Sequence, residues 1–91
     1  MKYEVFPSAR FKKDYKRAIK QGKNIRILHS VVAQLANDEP LSEKQRDHEL
    51  SGDYAGYREC HIQPDWLLVY KKENDILILT LARLGNHNEL F

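Results

Sequence analysis

The segment Tyr57–Tyr70, with the sequence YRECHIQPDWLLVY, constrains the fold of this chain more than any other stretch. It predicts two strands joined by a tight turn, because Pro64 has the φ angle that the first central position of a β-turn requires. The strands then pair outward from that turn. With Pro64 and Asp65 as the central residues, the predicted cross-strand pairs are Gln63–Trp66, Ile62–Leu67 and His61–Leu68.

Side chains alternate along a strand, so this hairpin presents two faces. The predicted core face is apolar and carries Cys60, Ile62, Leu67 and Val69. The other face combines a histidine, a carboxylate and aromatic rings, with Asp65 at the turn beside it: Tyr57, Glu59, His61, Trp66, Leu68 and Tyr70. Because that composition is unusual for a solvated surface, we expect the chemistry of the protein on this second face.

The remaining sequence predicts one α+β domain over residues 1–91, since a chain of this length has room for a single core. Residues 2–6 predict a strand, and residues 76–82 predict a central strand that is apolar on both faces. Two helices lie between them, so the predicted order is β-α-α-β-β-β. We expect a mostly antiparallel sheet with a helical hairpin on one face and the other face open.

Capping residues define the two predicted helices. Ser8 and Asn24 are suited to begin them, while Gly22 is suited to end the first. The first helix carries a predicted buried stripe of Phe11, Tyr15, Ala18 and Ile19. Residues 38–56 predict a long loop, residues 72–75 a polar turn and residues 84–91 an irregular tail.

The net charge of +2 is unevenly distributed along the chain. Residues 1–30 contain nine Lys or Arg against two acidic residues, whereas the remainder is net acidic. A basic surface of this kind suits a polyanion such as RNA, although a solvated helix face has the same composition. No apolar run approaches the ~20 residues of a membrane helix. With no signal-peptide pattern and a single cysteine, Cys60, we expect a reducing cytoplasmic setting and no membrane partner.

Three histidines and one aspartate stand out as candidate catalytic residues: His48, His61, Asp65 and His87. Histidine titrates near neutrality, so a pair can serve as general base and general acid. RNA cleavage requires that division, since one group deprotonates the ribose 2′-hydroxyl and another protonates the departing 5′-oxygen. Arg83 or Arg58 can offset charge on the phosphate, and neither a metal nor another cofactor is required.

Other interpretations of these residues remain open. Dispersed histidines and a carboxylate can bind zinc, although their spacing matches none of the usual close-set ligand pairs. All of them can also be ordinary structural residues, and His29 within the second helix is most simply one. The aromatic residues Trp66 and Phe91 can stack on unpaired bases or simply cover the sheet.

Two segments resemble the YafQ branch of the RelE toxins of bacterial type II toxin–antitoxin systems. They are DHELSGDYAGYRECHIQPDWLLVY at residues 47–70 and RLGNHNELF at residues 83–91. The similarity lies in an Asp-His-x-Leu-x-Gly run, a Gly-Tyr-Arg strand, a His-x-x-Pro-Asp-Trp turn and a closing Gly-x-His-x-x-Leu-Phe. The resemblance implies a RelE-like fold and a ribosome-dependent messenger-RNA endonuclease that halts translation.

The resemblance also implies roles for individual residues and for partners. Catalytic roles fall on His48, His61, Asp65 and His87, with Phe91 assisting. We expect His87 to protonate the leaving group, His48 or Asp65 to act on the 2′-hydroxyl, and His61 to orient the phosphate, which Arg83 also contacts. The implied partners are an acidic antitoxin, the 70S ribosome and messenger RNA.

Two alternative functions remain at this point. A ParE-like toxin has a similar architecture but poisons DNA gyrase without catalysis, and an inactive partner-binding domain would tolerate loss of the histidines.

Overall fold

A computed structural model describes all 91 residues as a five-stranded sheet with two helices on one face and a short helix at the carboxyl end. The strands are β1 (Glu4–Pro7), β2 (His48–Glu49), β3 (Arg58–Gln63), β4 (Trp66–Glu73) and β5 (Ile78–Gly85). The helices are α1 (Ala9–Lys20), α2 (Ile25–Ala36) and α3 (His87–Leu90). The strand order is β1-β5-β4-β3-β2, in which only β1 and β5 run parallel. The predicted α+β class and helical hairpin are confirmed.

Both helices begin at the predicted capping residues. The side chain of Ser8 accepts from the Phe11 backbone N–H at 3.0 Å, and that of Asn24 accepts from the Arg26 N–H at 3.1 Å. Gly22 follows α1 with φ at 74°, a conformation that glycine adopts without steric cost.

The buried stripe of α1 differs from the prediction at two positions. Ile19 is 53% exposed, whereas Asp14 is buried at 4% exposure. Asp14 lies three residues after Phe11 and four before Ala18, so it belongs to the same helix face as those core residues. The apolar pattern missed this position because it assumed that charged side chains face solvent.

The main hydrophobic core lies between the two long helices and one face of the sheet. Its helical side includes Phe11, Ala18, Leu28, Val31 and Leu35, and its sheet side includes Cys60, Ile62, Trp66, Leu68, Tyr70, Leu79, Leu81 and Leu84. A second, smaller cluster on the opposite face contains Leu67, Val69 and Leu90.

The β3–β4 hairpin has the predicted turn but not the predicted register. Gln63 pairs with Trp66, and then His61 pairs with Leu67, because Ile62 forms a β-bulge. Because β3 has one extra residue, every β4 side chain lies on the face opposite to the predicted one. The predicted faces are therefore wrong for five β4 residues: Trp66, Leu67, Leu68, Val69 and Tyr70. They are correct for Glu59, Cys60 and His61 on β3.

The carboxyl-terminal third also departs from the sequence predictions. Strand β5 begins at Ile78, because Asn74–Leu77 form the turn and Leu77 has φ at 54°. The tail is not irregular: Asn86 and Glu89 form a capping box that begins helix α3. Within the long 38–56 segment, strand β2 pairs with β3. No helix has the combined length and apolar character needed to cross a membrane.

Candidate active site

The candidate site lies on the sheet face that α1 and α2 leave uncovered. Leu67 and Val69 point out of this face, and helix α3 packs Leu90 against them. Glu59 pairs with Val69 and His61 pairs with Leu67, so both polar side chains lie on this same face beside the apolar cluster. Helix α3 therefore brings its own residues next to the polar half of β3.

His48 joins this face from strand β2. It pairs directly across the sheet with Glu59, and its Nε2 lies 3.5 Å from Glu59 Oε1. Its Nδ1 lies 2.7 Å from the carbonyl oxygen of Arg46. A carbonyl can only accept, so Nδ1 carries a proton and donates it to Arg46. In the neutral ring, Nε2 is then the nitrogen that can take up a proton, and Glu59 is placed to stabilise the resulting positive charge.

Glu59 is the most unusual group on this face. Its side chain is buried at 5% exposure, and its Oε2 has no hydrogen-bond partner. A buried polar atom without a partner costs about 1–3 kcal/mol, so Glu59 lowers the stability of the fold. The half-exposed ring of His48 is the one basic side chain within salt-bridge distance.

His61 and Asp65 occupy the end of the hairpin. His61 Nδ1 lies 3.2 Å from the Pro64 carbonyl oxygen, which fixes Nδ1 as the donor and leaves Nε2 free. His61 follows Glu59 by two residues on one strand face, a separation of about 7 Å. Asp65 is exposed in the turn, as predicted, and its carboxylate makes no hydrogen bond or salt bridge.

Helix α3 supplies a histidine, and Phe91 directly after it supplies an aromatic ring. His87 is exposed, and its ring centroid lies 5.2 Å from that of Phe91. Phe91 is 53% exposed and also makes an edge-to-face contact with Tyr54 at 5.8 Å. Phe91 is therefore held in place by two rings while half of its surface remains open for stacking on another ring.

Arg83 is held at the base of this region by helix α1. Its Nε and Nη2 donate to the two carboxylate oxygens of Asp14 at 2.8 and 3.3 Å, and hydrogen bonding to Asp14 raises the pKa of Arg83 despite the opposing effect of burial. The guanidinium also borders a shallow groove of about 290 Å³ lined by Arg10, Tyr54 and Tyr57. Access to Arg83 from outside is through this groove.

Two predicted substrate-binding residues lie away from the site. Trp66 is 1% exposed in the main core beneath the helices, so its predicted position on the His61 face is wrong and its ring cannot reach a base. Arg58 lies on the same face of β3 as Cys60, opposite to His61, and its Nε lies 3.1 Å from Asp47 Oδ1. The β-bulge accounts for the burial of Trp66, and the alternation of side chains along β3 accounts for the position of Arg58.

The site offers few ligands for a metal ion. No group of three or more His, Cys, Asp or Glu side chains is arranged to hold one. His48 and Glu59 form a pair, whereas zinc sites in proteins use three or four protein ligands. Any ion bound there would have to recruit further ligands.

Glu59 and Tyr54 belong to this site although neither was among the predicted site residues. Glu59 could have been found from the sequence, because it alternates with His61 along one strand and therefore shares its face. Tyr54 lies in a short turn whose position depends on the packing of α3, so no local signal identifies it.

Fold and site together define a small α+β protein with acid–base side chains grouped on one open sheet face. Residues 3–91 match the family described as "Bacterial toxin of type II toxin-antitoxin system, YafQ". Among curated proteins, the mRNA interferase toxin YafQ of Escherichia coli strain K12 is 38% identical over 85 residues, covering 92% of this chain and 90% of the relative. The chain belongs to the YafQ family of type II toxins.

Solved structures agree with this assignment. A metal-bound toxin from Helicobacter pylori superimposes with a TM-score of 0.92 at 43% identity, covering 98% of this chain and 99% of the other. The E. coli DinJ-YafQ toxin–antitoxin complex contains a chain with a TM-score of 0.89 at 35% identity, covering 100% of this chain and 99% of the other. The fold is therefore RelE-like along its whole length.

Proposed function

We propose that this protein is an endoribonuclease toxin that cleaves messenger RNA on the ribosome and so stops translation in the cytoplasm. The observation that carries the proposal is the placement of His48, Glu59 and His61 on one open face, against whose apolar half helix α3, which carries His87, packs Leu90. Membership of the YafQ family and the mRNA interferase relative support the same reaction.

The proposed reaction is an attack of the ribose 2′-hydroxyl on the adjacent phosphorus. His48 takes the 2′-hydroxyl proton at Nε2, since its Nδ1–H is committed to the Arg46 carbonyl. Glu59 then stabilises the imidazolium across 3.5 Å. Asp65, the other candidate base, has no neighbouring group that fixes its orientation, so we assign the base to His48. No metal takes part in this scheme.

The remaining groups act on the phosphate and the leaving oxygen. His61, with Nδ1 fixed by Pro64, presents Nε2 to a phosphate oxygen. His87 is exposed and makes no protein hydrogen bond through its side chain, so it is free to protonate the departing 5′-oxygen. Phe91 offers a half-exposed ring for a neighbouring base. An RNA backbone lying in the groove beside Tyr54 would bring a phosphate to Arg83.

We also propose a co-encoded acidic antitoxin as the partner that silences this activity. The charge of the first 30 residues is strongly positive, and α1 exposes most of it. A DinJ-YafQ complex is known for the similar E. coli toxin. An acidic segment would bind this surface by electrostatic complementarity, so its association rate should fall as salt is added.

The decisive experiment is cleavage of messenger RNA by His87→Ala, with and without ribosomes. A positioned acid or base contributes about 10²- to 10⁴-fold in rate, so we expect a loss of that size with an unchanged melting temperature. His29→Ala is the matched control, because His29 lies on α2 and contacts Tyr15 at 2.9 Å away from the site. Wild-type cleavage by His87→Ala would contradict the mechanism, and replication stopping before translation on expression would contradict the function.

A further inference from the structure

Helix α3 is too short to hold itself in place. It contains four residues, and an isolated single turn is unstable in water because nucleation of a helix is unfavourable. Tertiary contacts therefore fix its orientation. Leu90 supplies an apolar anchor against Leu67 and Val69. The neighbouring residue, Glu89, supplies a second, polar anchor.

The polar anchor is an ion pair between α1 and α3. Arg17 Nε lies 3.1 Å from Glu89 Oε2, and Gln21 Nε2 donates to the same oxygen at 3.2 Å. The other oxygen, Oε1, accepts from the Asn86 backbone N–H at 2.8 Å in the capping box. Glu89 therefore begins the helix with one oxygen and attaches it to α1 with the other.

Arg17 is itself fixed by the buried groups of the core. Its Nη2 donates to Asp14 Oδ1 and to the Leu84 carbonyl oxygen, both at 3.2 Å. Asp14 in turn accepts from the Leu84 backbone N–H at 2.9 Å and from Arg83. The ion pair thus connects α3 to a part of the molecule that cannot move without disrupting the core.

Gly85 lies beneath both side chains of this pair. A Cβ at residue 85 would lie 2.9 Å from Glu89 Oε1, 3.0 Å from Arg17 Nη2 and 3.2 Å from Glu89 Cβ, so a larger residue would require these side chains to shift. Its φ lies outside the left-handed region that favours glycine. Glycine at this position therefore leaves space for the side chains of Arg17 and Glu89 and serves no special backbone conformation.

We propose that Arg17 and Glu89 are positioning residues that hold helix α3 in the orientation that presents His87 to the substrate. The functional half of this proposal rests on the nuclease activity proposed above. Neither residue touches the reacting atoms, so their loss should lower the turnover rate and leave substrate affinity intact. A misplacement of about 1 Å at a catalytic group can cost up to about a hundredfold in rate.

Glu89→Gln is the most informative variant, since a glutamine preserves the capping box while it removes the charge that pairs with Arg17. Arg17→Met removes the other charge and keeps the apolar stem, and it also removes the hydrogen bonds from Arg17 to Asp14 and Leu84. The control is Asp38→Asn, which removes exposed ion pairs to Lys2 and Lys72 elsewhere on the surface. If Arg17 and Glu89 act as a pair, the double variant should lose little more activity than Arg17→Met alone.

Two measurements decide the outcome. We expect amide hydrogen exchange at residues 89–91 to accelerate about tenfold in Glu89→Gln while exchange in the sheet stays at wild-type rates. We expect kcat for ribosome-bound messenger RNA to fall about tenfold, with KM within about twofold of wild type and no change for Asp38→Asn.

Several results would overturn the proposal. Wild-type exchange at residues 89–91 would remove the positioning role, and faster exchange throughout the chain would make the pair a general stabiliser. Faster exchange confined to α3 together with an unchanged kcat would show that the orientation of α3 does not affect catalysis. If the wild-type protein does not cleave messenger RNA, the proposed function fails and with it the link to turnover, while the exchange data still decide whether the pair holds α3.

Discussion

Replacing Glu59 by glutamine should make the protein more stable and less active. The carboxylate is buried at 5% exposure, and its Oε2 has no partner. An unpartnered buried polar atom costs about 1–3 kcal/mol, and a buried charge without compensation costs more. The glutamine amide has the size of the carboxylate and no charge, but it is still a buried polar group. We therefore expect the free energy of unfolding to rise by about 1 kcal/mol, the lower end of that range.

The same substitution should slow cleavage, because a neutral amide cannot stabilise an imidazolium on His48. The 3.5 Å contact is an ion pair with a half-exposed ring, and such pairs contribute up to about 1 kcal/mol. That energy corresponds to a rate about fivefold lower. The gain in stability should raise the melting temperature by about 4–8 °C for a domain of this size.

The assays are thermal unfolding and single-turnover cleavage of ribosome-bound messenger RNA. Glu49→Gln is the matched control, since the Glu49 side chain is 84% exposed on the neighbouring strand and should change neither quantity. A melting temperature that falls by several degrees, together with wild-type cleavage, would show that Glu59 is a structural residue. The assignment of His48 and Glu59 as a catalytic pair would then be abandoned.

Two further predictions concern stability. Asp14→Ala should destabilise the fold by about 3–5 kcal/mol in urea titrations, because it leaves Arg83 buried without its carboxylate; a loss below about 1 kcal/mol would show that the network is unimportant. Burial raises the pKa of Cys60 from 9.0 to about 12, so the folded state retains a proton that the unfolded state loses. The contribution of the protonated thiol to the free energy of unfolding should therefore be fully present below pH 9 and be lost as the pH rises towards 12. Cys60→Ala should reduce this alkaline loss of stability. Part of the loss should remain, because burial also raises the pKa of Tyr70. An identical alkaline profile for Cys60→Ala would refute the contribution of the thiol.

The position of the site follows from the way the two sheet faces are covered. The long helices cover the first face with the main core, whereas only α3 and the turn containing Tyr54 cover the second. The polar half of the second face stays open because neither long helix packs over it, and the edge strand β2 contributes His48 to this open half.

The sequence by itself determined the elements whose signals are local. Ser8, Asn24 and Gly22 act through hydrogen bonds and dihedral preferences within a few residues, and Pro64 defines a turn in the same way. Alternation along a single strand was equally reliable, since it placed Glu59, His61 and Cys60 on their correct faces.

Tertiary structure decided how the separate elements meet. The bulge at Ile62 shifts β4 by one residue against β3 and carries Trp66 into the main core, and nothing within the hairpin sequence specifies it. The burial of Asp14 depends on Arg83, which lies 69 residues away in the sequence, so the local pattern of α1 could not show that this charged residue is buried. Helix α3 depends in the same way on Arg17 and Leu67, because a single turn acquires its stability from distant contacts.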